Sequence, residues 1–286
     1  MKKIIVPIDF SEESLVALDY ASIWANKYKS DVQMVYVQTK KASNHWISEK
    51  KEKESLEKQF IELQKKYANK FHKACKFNFI IKKGRVFEEI AEQAEAYDDS
   101  MIICTTHGES GWSNFFIGSN TYRIVEGTIR PVISIGVNQK HSKPKTIVMP
   151  IDITKETREK VPIVASIAKH FDAEVHILKV TSSTGEGIHN TLNLYARQVS
   201  KYFDERDVKY QSSLIVGENI TDITIEYAKT IEANLIVIMT EQIKAWTNML
   251  MGSYAQQMLN NSSVPVLSIT PYDITLNGTS FRTMGG

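Results

Sequence analysis

The chain repeats itself. Ile4-Ile5-Val6-Pro7-Ile8-Asp9 returns as Ile147-Val148-Met149-Pro150-Ile151-Asp152. Gly118-Ser119 returns as Gly252-Ser253, and Pro131-Val132-Ile133-Ser134-Ile135 as Pro265-Val266-Leu267-Ser268-Ile269. The last two correspondences share an offset of 134 positions and the first has an offset of 143, so the second copy is nine residues shorter between them. Valine-rich strands resemble one another by chance, but chance does not supply the paired Gly-Ser or the common order. The 286 residues suit two domains at the usual ~100–200 residues each, and either copy is long enough to bury its own core.

Within the first copy, apolar runs alternate with helical stripes. Residues 4–8, 32–37, 77–81, 101–105 and 131–137 read as strands. Ser11 reads as a helix N-cap, with Glu12 and Glu13 in the first turn where the helix dipole favours anions. Ala17, Leu18, Ala21, Trp24, Ala25 and Tyr28 follow at helical spacing. Leu56, Phe60, Leu63, Tyr67 and Phe71 make a second stripe in a Lys/Glu-rich stretch, whose charge run over 49–54 reads as a solvated face. Helices are expected again at 88–97 and around 122–127. Strands separated by helices imply right-handed parallel βαβ units. Met101-Ile102-Ile103, apolar without alternation, suits a strand buried on both faces. The second copy repeats the plan with strands at 146–151, 174–180, 210–216, 235–239 and 264–269. The expected fold class is α/β: two tandem doubly wound, Rossmann-like domains, each with a five-stranded, mostly parallel sheet. The first domain is placed at 1–138 and the second at 145–271, joined by a polar linker over 138–145. Residues 272–286 form a C-terminal tail in which Phe281 and Met284 would permit docking.

Charge and cysteine usage narrow the partners. A formal net charge of +2 without a long basic block gives no footprint for nucleic acid. Cys75 and Cys104 are too few for a disulfide framework and suit a reducing, cytoplasmic compartment. The opening MKKIIVPIDF reads as a first strand and not as a signal peptide. No apolar run approaches the ~18 residues of a membrane span.

An open α/β sheet offers ligands the carboxyl ends of its strands, at the switch point in strand order. In the first copy those ends are Asp9, Val37 and Thr105-Thr106-His107-Gly108, followed by Gly118-Ser119-Asn120 opening a helix. A Gly-Ser pair there lets a phosphate approach backbone N–H groups and the Ser hydroxyl, and Asp9 can accept hydrogen bonds from adenine or ribose. Taken alone, Gly118 serves close packing equally well, and Ser119 serves as a helix cap. Other chemistries are absent from the sequence. There is no GxxxxGK[ST] loop, no GxGxxG after the first strand and no GxSxG elbow. Cys104 and His107 are two potential ligands, short of the three that a zinc site needs.

The stretch from Thr106-His107-Gly108 to Gly118-Ser119 resembles the nucleotide loop of the universal stress proteins, Gly-x2-Gly-x9-Gly-[Ser/Thr], with nine residues between Gly108 and Gly118. The opening strand ending in Asp9 and the closing Arg130-Pro131-Val132-Ile133 are similar to the same family. The resemblance covers almost the whole chain, twice. It implies a five-stranded parallel sheet and ATP, with Mg²⁺, held in the first domain by Pro7, Asp9, Val37, Thr105, His107, Gly108, Gly118, Ser119 and Asn120. The family's first loop glycine falls on Thr105, where a side chain would crowd the nucleotide or the backbone would need a φ that glycine adopts easily. The second copy departs further: Met239 and Gln242 stand where glycines belong, and only Asp152, Gly252 and Ser253 persist. It is expected not to take ATP in the family manner. Single-domain members commonly dimerise through the last strand, so the resemblance implies that strands 131–137 and 264–269 pair about a pseudo-two-fold axis, and it leaves room for a homodimer. The function expected is a stress-response switch that binds adenine nucleotide without being an enzyme, any hydrolysis being slow and incidental. The alternatives are a stress-response scaffold acting through protein contacts alone, favoured by Thr105, and a nucleotidyl-transfer or hydrolase enzyme on a related fold, which would be favoured by a HIGH-like or lysine-bearing loop that the chain lacks.

Overall fold

Strands that are apolar on both faces must be covered on both sides, and the helices between them do the covering. A computed structural model describes residues 1–39, 46–106, 119–136, 139, 142–240 and 253–271. The first half runs β1 (Lys3–Pro7), α1 (Glu12–Tyr28), β2 (Asp31–Gln38), α2 (Trp46–Tyr67), β3 (Phe77–Lys83), α3 (Val86–Glu95), β4 (Ser100–Thr105), α4 (Ser119–Gly127) and β5 (Val132–Ile135). The second runs β6 (Thr146–Ile151), a 3₁₀ turn (Glu156–Arg158), α5 (Val161–Phe171), β7 (Glu174–Thr181), α6 (Glu186–Asp204), β8 (Lys209–Val216), α7 (Ile220–Thr230), β9 (Leu235–Met239), α8 (Ser253–Asn261) and β10 (Val266–Ile269).

All ten strands lie in one sheet, in the order β3-β2-β1-β4-β5-β10-β9-β6-β7-β8. Each half is parallel throughout. At the middle, β5 and β10 run antiparallel, with Leu267 opposite Ile133. Strand order reverses between β1 and β4 and again between β6 and β9, which gives one switch point in each half. β5 and β10 begin one and two residues later than the apolar runs suggest. Pro131 and Pro265 have no N–H to give a ladder, yet their carbonyls still accept from Ile102 and Ile236.

The period of two sends Ile4 and Val6 to one face and Ile5 to the other. α1, α2, α5 and α6 cover the first face, and α3, α4, α7 and α8 the second. Each core runs through both halves. On the first face the halves also meet helix to helix. The Trp24 ring of α1 meets Phe171 of α5 edge-on at 5.0 Å, and Tyr28 stacks on His170 at 4.0 Å. Phe71, placed by its stripe on the second helix, lies beyond the end of α2 but is still buried, tilted against Phe77 at 4.5 Å.

Helix ends follow local chemistry. Ser11 caps α1, its Oγ accepting from Ser14 N–H at 3.1 Å. α1 and α5 close on left-handed residues, Lys29 at φ 54° and Asp172 at φ 49°, whose N–H groups bond back to Ala25 and Ala168. Ser11→Ala should cost about 1 kcal/mol in urea unfolding, because it removes the acceptor for an otherwise orphaned helix N–H.

Candidate functional site

The carboxyl edge of the first half collects most of the residues that the sequence singled out. β1 is central, between β2 and β4. The register of Pro7 with Val35 puts Asp9 level with Val37, and the register of Ile5 with Ile102 puts Thr105 level with Ile8. Pro7 and Val37 are half-buried at this edge, and Asp9 is exposed just beyond it. Ser119 and Asn120 open α4, with Asn120 exposed. Thr121 ties that helix to the strand ends: its Oγ1 donates to the Thr105 carbonyl at 2.6 Å. The N-terminus of α4, with its positive dipole end, is thereby tied to the end of β4. His107, Gly108 and Gly118 lie outside the described residues, as do Val137, Gln242, Gly252 and the tail.

Asp9 is held by its own loop. Its Oδ1 accepts from Ser11 N–H at 3.0 Å and from the Ser11 hydroxyl, an Asx-type turn that orients the carboxylate. Oδ2 has no partner among the described residues. Between them stands Phe10 at φ 66°, a left-handed conformation that costs a bulky residue about 1–2 kcal/mol. The ring offsets this against Phe60 at 4.7 Å and Tyr36 at 5.8 Å. Phe10 therefore bends the chain so that Asp9 faces the strand edge. Sequence reasoning passed over it and over Thr121; a bulky residue at a tight strand-to-helix turn is the signal for Phe10.

The backbone at Thr105 does not call for glycine. The residue closes β4 in extended backbone and is absent from the left-handed set, and its side chain is buried, 8% exposed. The conformational objection to a side chain there is thus removed. Cys104 beside it is buried, and burial pushes its thiol up to about 12 against the opposing pull of Ser134 and Thr121. Burial therefore favours the neutral thiol over the thiolate. Among the described residues no cluster of three or more His, Cys, Asp or Glu is placed to hold a metal, and no helix is long and apolar enough to cross a membrane.

The second half repeats the scaffold and changes the contacts. Asp152 keeps the same turn, Oδ1 accepting from Thr154 N–H at 2.7 Å and from its hydroxyl. At the offset of 134, Thr121 becomes Ala255, so the tie from helix to strand end is lost. Asn120 becomes Tyr254, whose phenol oxygen is buried beside Thr224. Burial and the nearby Asp152 charge hold that phenol well above its ordinary range. Met239 stands at the place of Thr105.

Comparison with known proteins agrees with this geometry. Residues 1–135 and 143–269 each match the model of the universal stress protein family. Over 139 residues the chain is 28% identical to a universal stress protein of Methanocaldococcus jannaschii, a match covering 44% of this chain and 81% of that protein. A universal stress protein of Archaeoglobus fulgidus superposes with a TM-score of 0.77 at 18% identity, over 94% of this chain and 98% of that one. A protein of Pseudomonas aeruginosa superposes with a TM-score of 0.66 at 18% identity, over 100% of this chain and 98% of that one.

Proposed function

The chain belongs to the universal stress protein family, and from that premise we propose that its first half binds an adenine nucleotide, ATP with Mg²⁺, as a stress-response switch. The observation that carries this reading is the meeting of an oriented carboxylate and a helix N-terminus at one strand edge. Asp9 has Oδ1 committed to Ser11 and Oδ2 available to the adenine amine or a ribose hydroxyl. α4, anchored by Thr121, offers its first N–H groups to phosphate oxygens. The loop spacing of Gly108, Gly118 and Ser119 would let the phosphate chain approach the backbone. Pro7 and Val37 would flank the base, with Thr105, His107 and Asn120 at the rim.

In this reading residues 145–271 are a domain that serves as a built-in partner to residues 1–138, and not as a second nucleotide site. Supporting it are the loss of the Thr121 tie at Ala255, the bulk of Tyr254, and Met239 and Gln242 where glycines belong. In this reading binding rather than turnover is the activity, any hydrolysis being slow and incidental.

Calorimetry with ATP and Mg²⁺ tests the proposal. One nucleotide per chain is expected. No heat at millimolar ATP would sink the binding reading, and two sites would overturn the assignment of the second half. Gly118→Val should abolish the heat, since a branched side chain would stand between phosphate and backbone. Retained affinity would put the ligand elsewhere.

A further inference from the structure

The second half hides a lysine. Lys160 is 1% exposed and is among the largest fully buried side chains in the chain. At the offset of 143 that relates Asp9 to Asp152, and the left-handed caps Lys29 to Asp172, its counterpart is Ala17, also fully buried. A small core residue has thus been replaced by a long cation. The first half starts its helix at Glu12, whereas the second makes the 3₁₀ turn and starts α5 only at Val161.

The amine holds that turn down. Lys160 Nζ donates to the Thr157 carbonyl at 2.7 Å and lies 3.4 Å from Thr157 Oγ1. Thr157 Oγ1 in turn accepts from Asp152 N–H at 3.2 Å. The turn rests against β6 and β9, the two strands flanking the switch point of this half. No carboxylate among the described residues stands within the 4.0 Å of an ion pair with Nζ. On its own stretch the other titratable groups are Lys155, Glu156, Arg158 and Glu159, with Lys155 and Glu156 exposed. Arg158 lies over the Tyr195 ring of α6 at 3.7 Å and bonds Gln198. From β6 comes Asp152, the charge that bears on the amine, and from α8 comes Tyr254, a phenol kept neutral.

We propose that residues 153–160 form a proton-linked cover over the ligand edge of the second half, held shut around the Lys160 amine and opening more readily when that amine carries a proton. A neutral amine still donates two hydrogens to Thr157, while an ammonium without a paired carboxylate gains by reaching water. Burial pushes Lys160 down from 10.5 to about 8, the Asp152 charge opposing the shift. In the open segment the amine regains its ordinary value. The open state therefore binds the proton more tightly. Opening becomes easier as pH falls from 10.5 towards 8, reaches its full extent below 8, and is suppressed on the alkaline side. The whole span is roughly 300-fold in the opening equilibrium, and about 30-fold falls between pH 7 and pH 9.5. The second half would thus tighten on alkalinisation, whether or not the first half holds nucleotide.

The cover contains its own reporter, because an arginine-specific protease passes over the exposed Lys155 and can cut after the half-buried Arg158 only when the segment opens. Cleavage of the full chain at that bond is followed by mass spectrometry from pH 7 to 9.5 and divided by the rate on a free peptide of the same sequence. The normalised rate should fall about 30-fold in the wild type and stay level in Lys160→Gln, which has no titrating amine. A level wild-type profile overturns the proposal, and so does an equal fall in the variant. If Lys160→Gln does not fold, ¹⁵N-detected titration of the wild-type Lys160 amine decides. A midpoint near 8 supports the cover, and one at the ordinary lysine value overturns it.

Discussion

Asp9→Ala is expected to weaken ATP binding roughly 10- to 100-fold, and Asp152→Ala to leave it unchanged. A hydrogen bond to a charged acceptor contributes about 1.5–3 kcal/mol, and each ~1.4 kcal/mol is tenfold in affinity. The two aspartates are matched controls. Each ends the first strand of its half, and each accepts from the N–H and hydroxyl two residues on. Removing either one loosens the same kind of turn, so a structural cost alone would appear in both variants. Calorimetry on the pair separates the possibilities. Equal losses would mean that the loosened turn, and not the carboxylate, matters. No loss in either would remove Asp9 from the site.

Trp24→Ala should destabilise the protein by about 3–5 kcal/mol, the range for emptying a buried aromatic position. Trp24 is fully buried. Its ring meets Phe171 edge-on at 5.0 Å and stacks parallel to Tyr28 at 6.1 Å, so its removal opens a cavity between α1 of one half and α5 of the other. Denaturant unfolding monitored by circular dichroism measures the cost. Trp24→Phe keeps most of the volume and should lose much less. A cost below ~1 kcal/mol for the alanine variant would show that the two halves do not share this core.

Much of the architecture is legible in the residues. Runs such as Met101-Ile102-Ile103 declare a strand because burial on both faces leaves no room for polar alternation. β6 and β9 begin and end where their apolar runs do. Ser11 announces its helix because a cap is local chemistry. Phe10 is different. Nothing in its neighbours favours a left-handed Phe, and the rings that hold it belong to α2 and β2. Lys160 stands in a stretch of Lys, Glu and Arg, yet it is buried, because the acceptors that keep it are the carbonyl and hydroxyl of Thr157. Thr105 falls on a glycine position by spacing, while the β4 backbone there asks for no glycine conformation. Thr121, one polar residue in a short helix, reveals its part only through the carbonyl it meets. For Phe10 and Thr121 the missing information lies in another element.

The antiparallel meeting of β5 and β10 joins two strands of one polypeptide. Strands on separate chains would part on dilution and could re-pair with any copy. Here the linker sets an effective concentration on the millimolar scale, independent of how much protein is present. The pairing is also between unlike strands: β5 of the first half meets β10 of the second. Selection can then act on the two halves separately. Ala17 can become Lys160 in one half without a lysine being forced into the other.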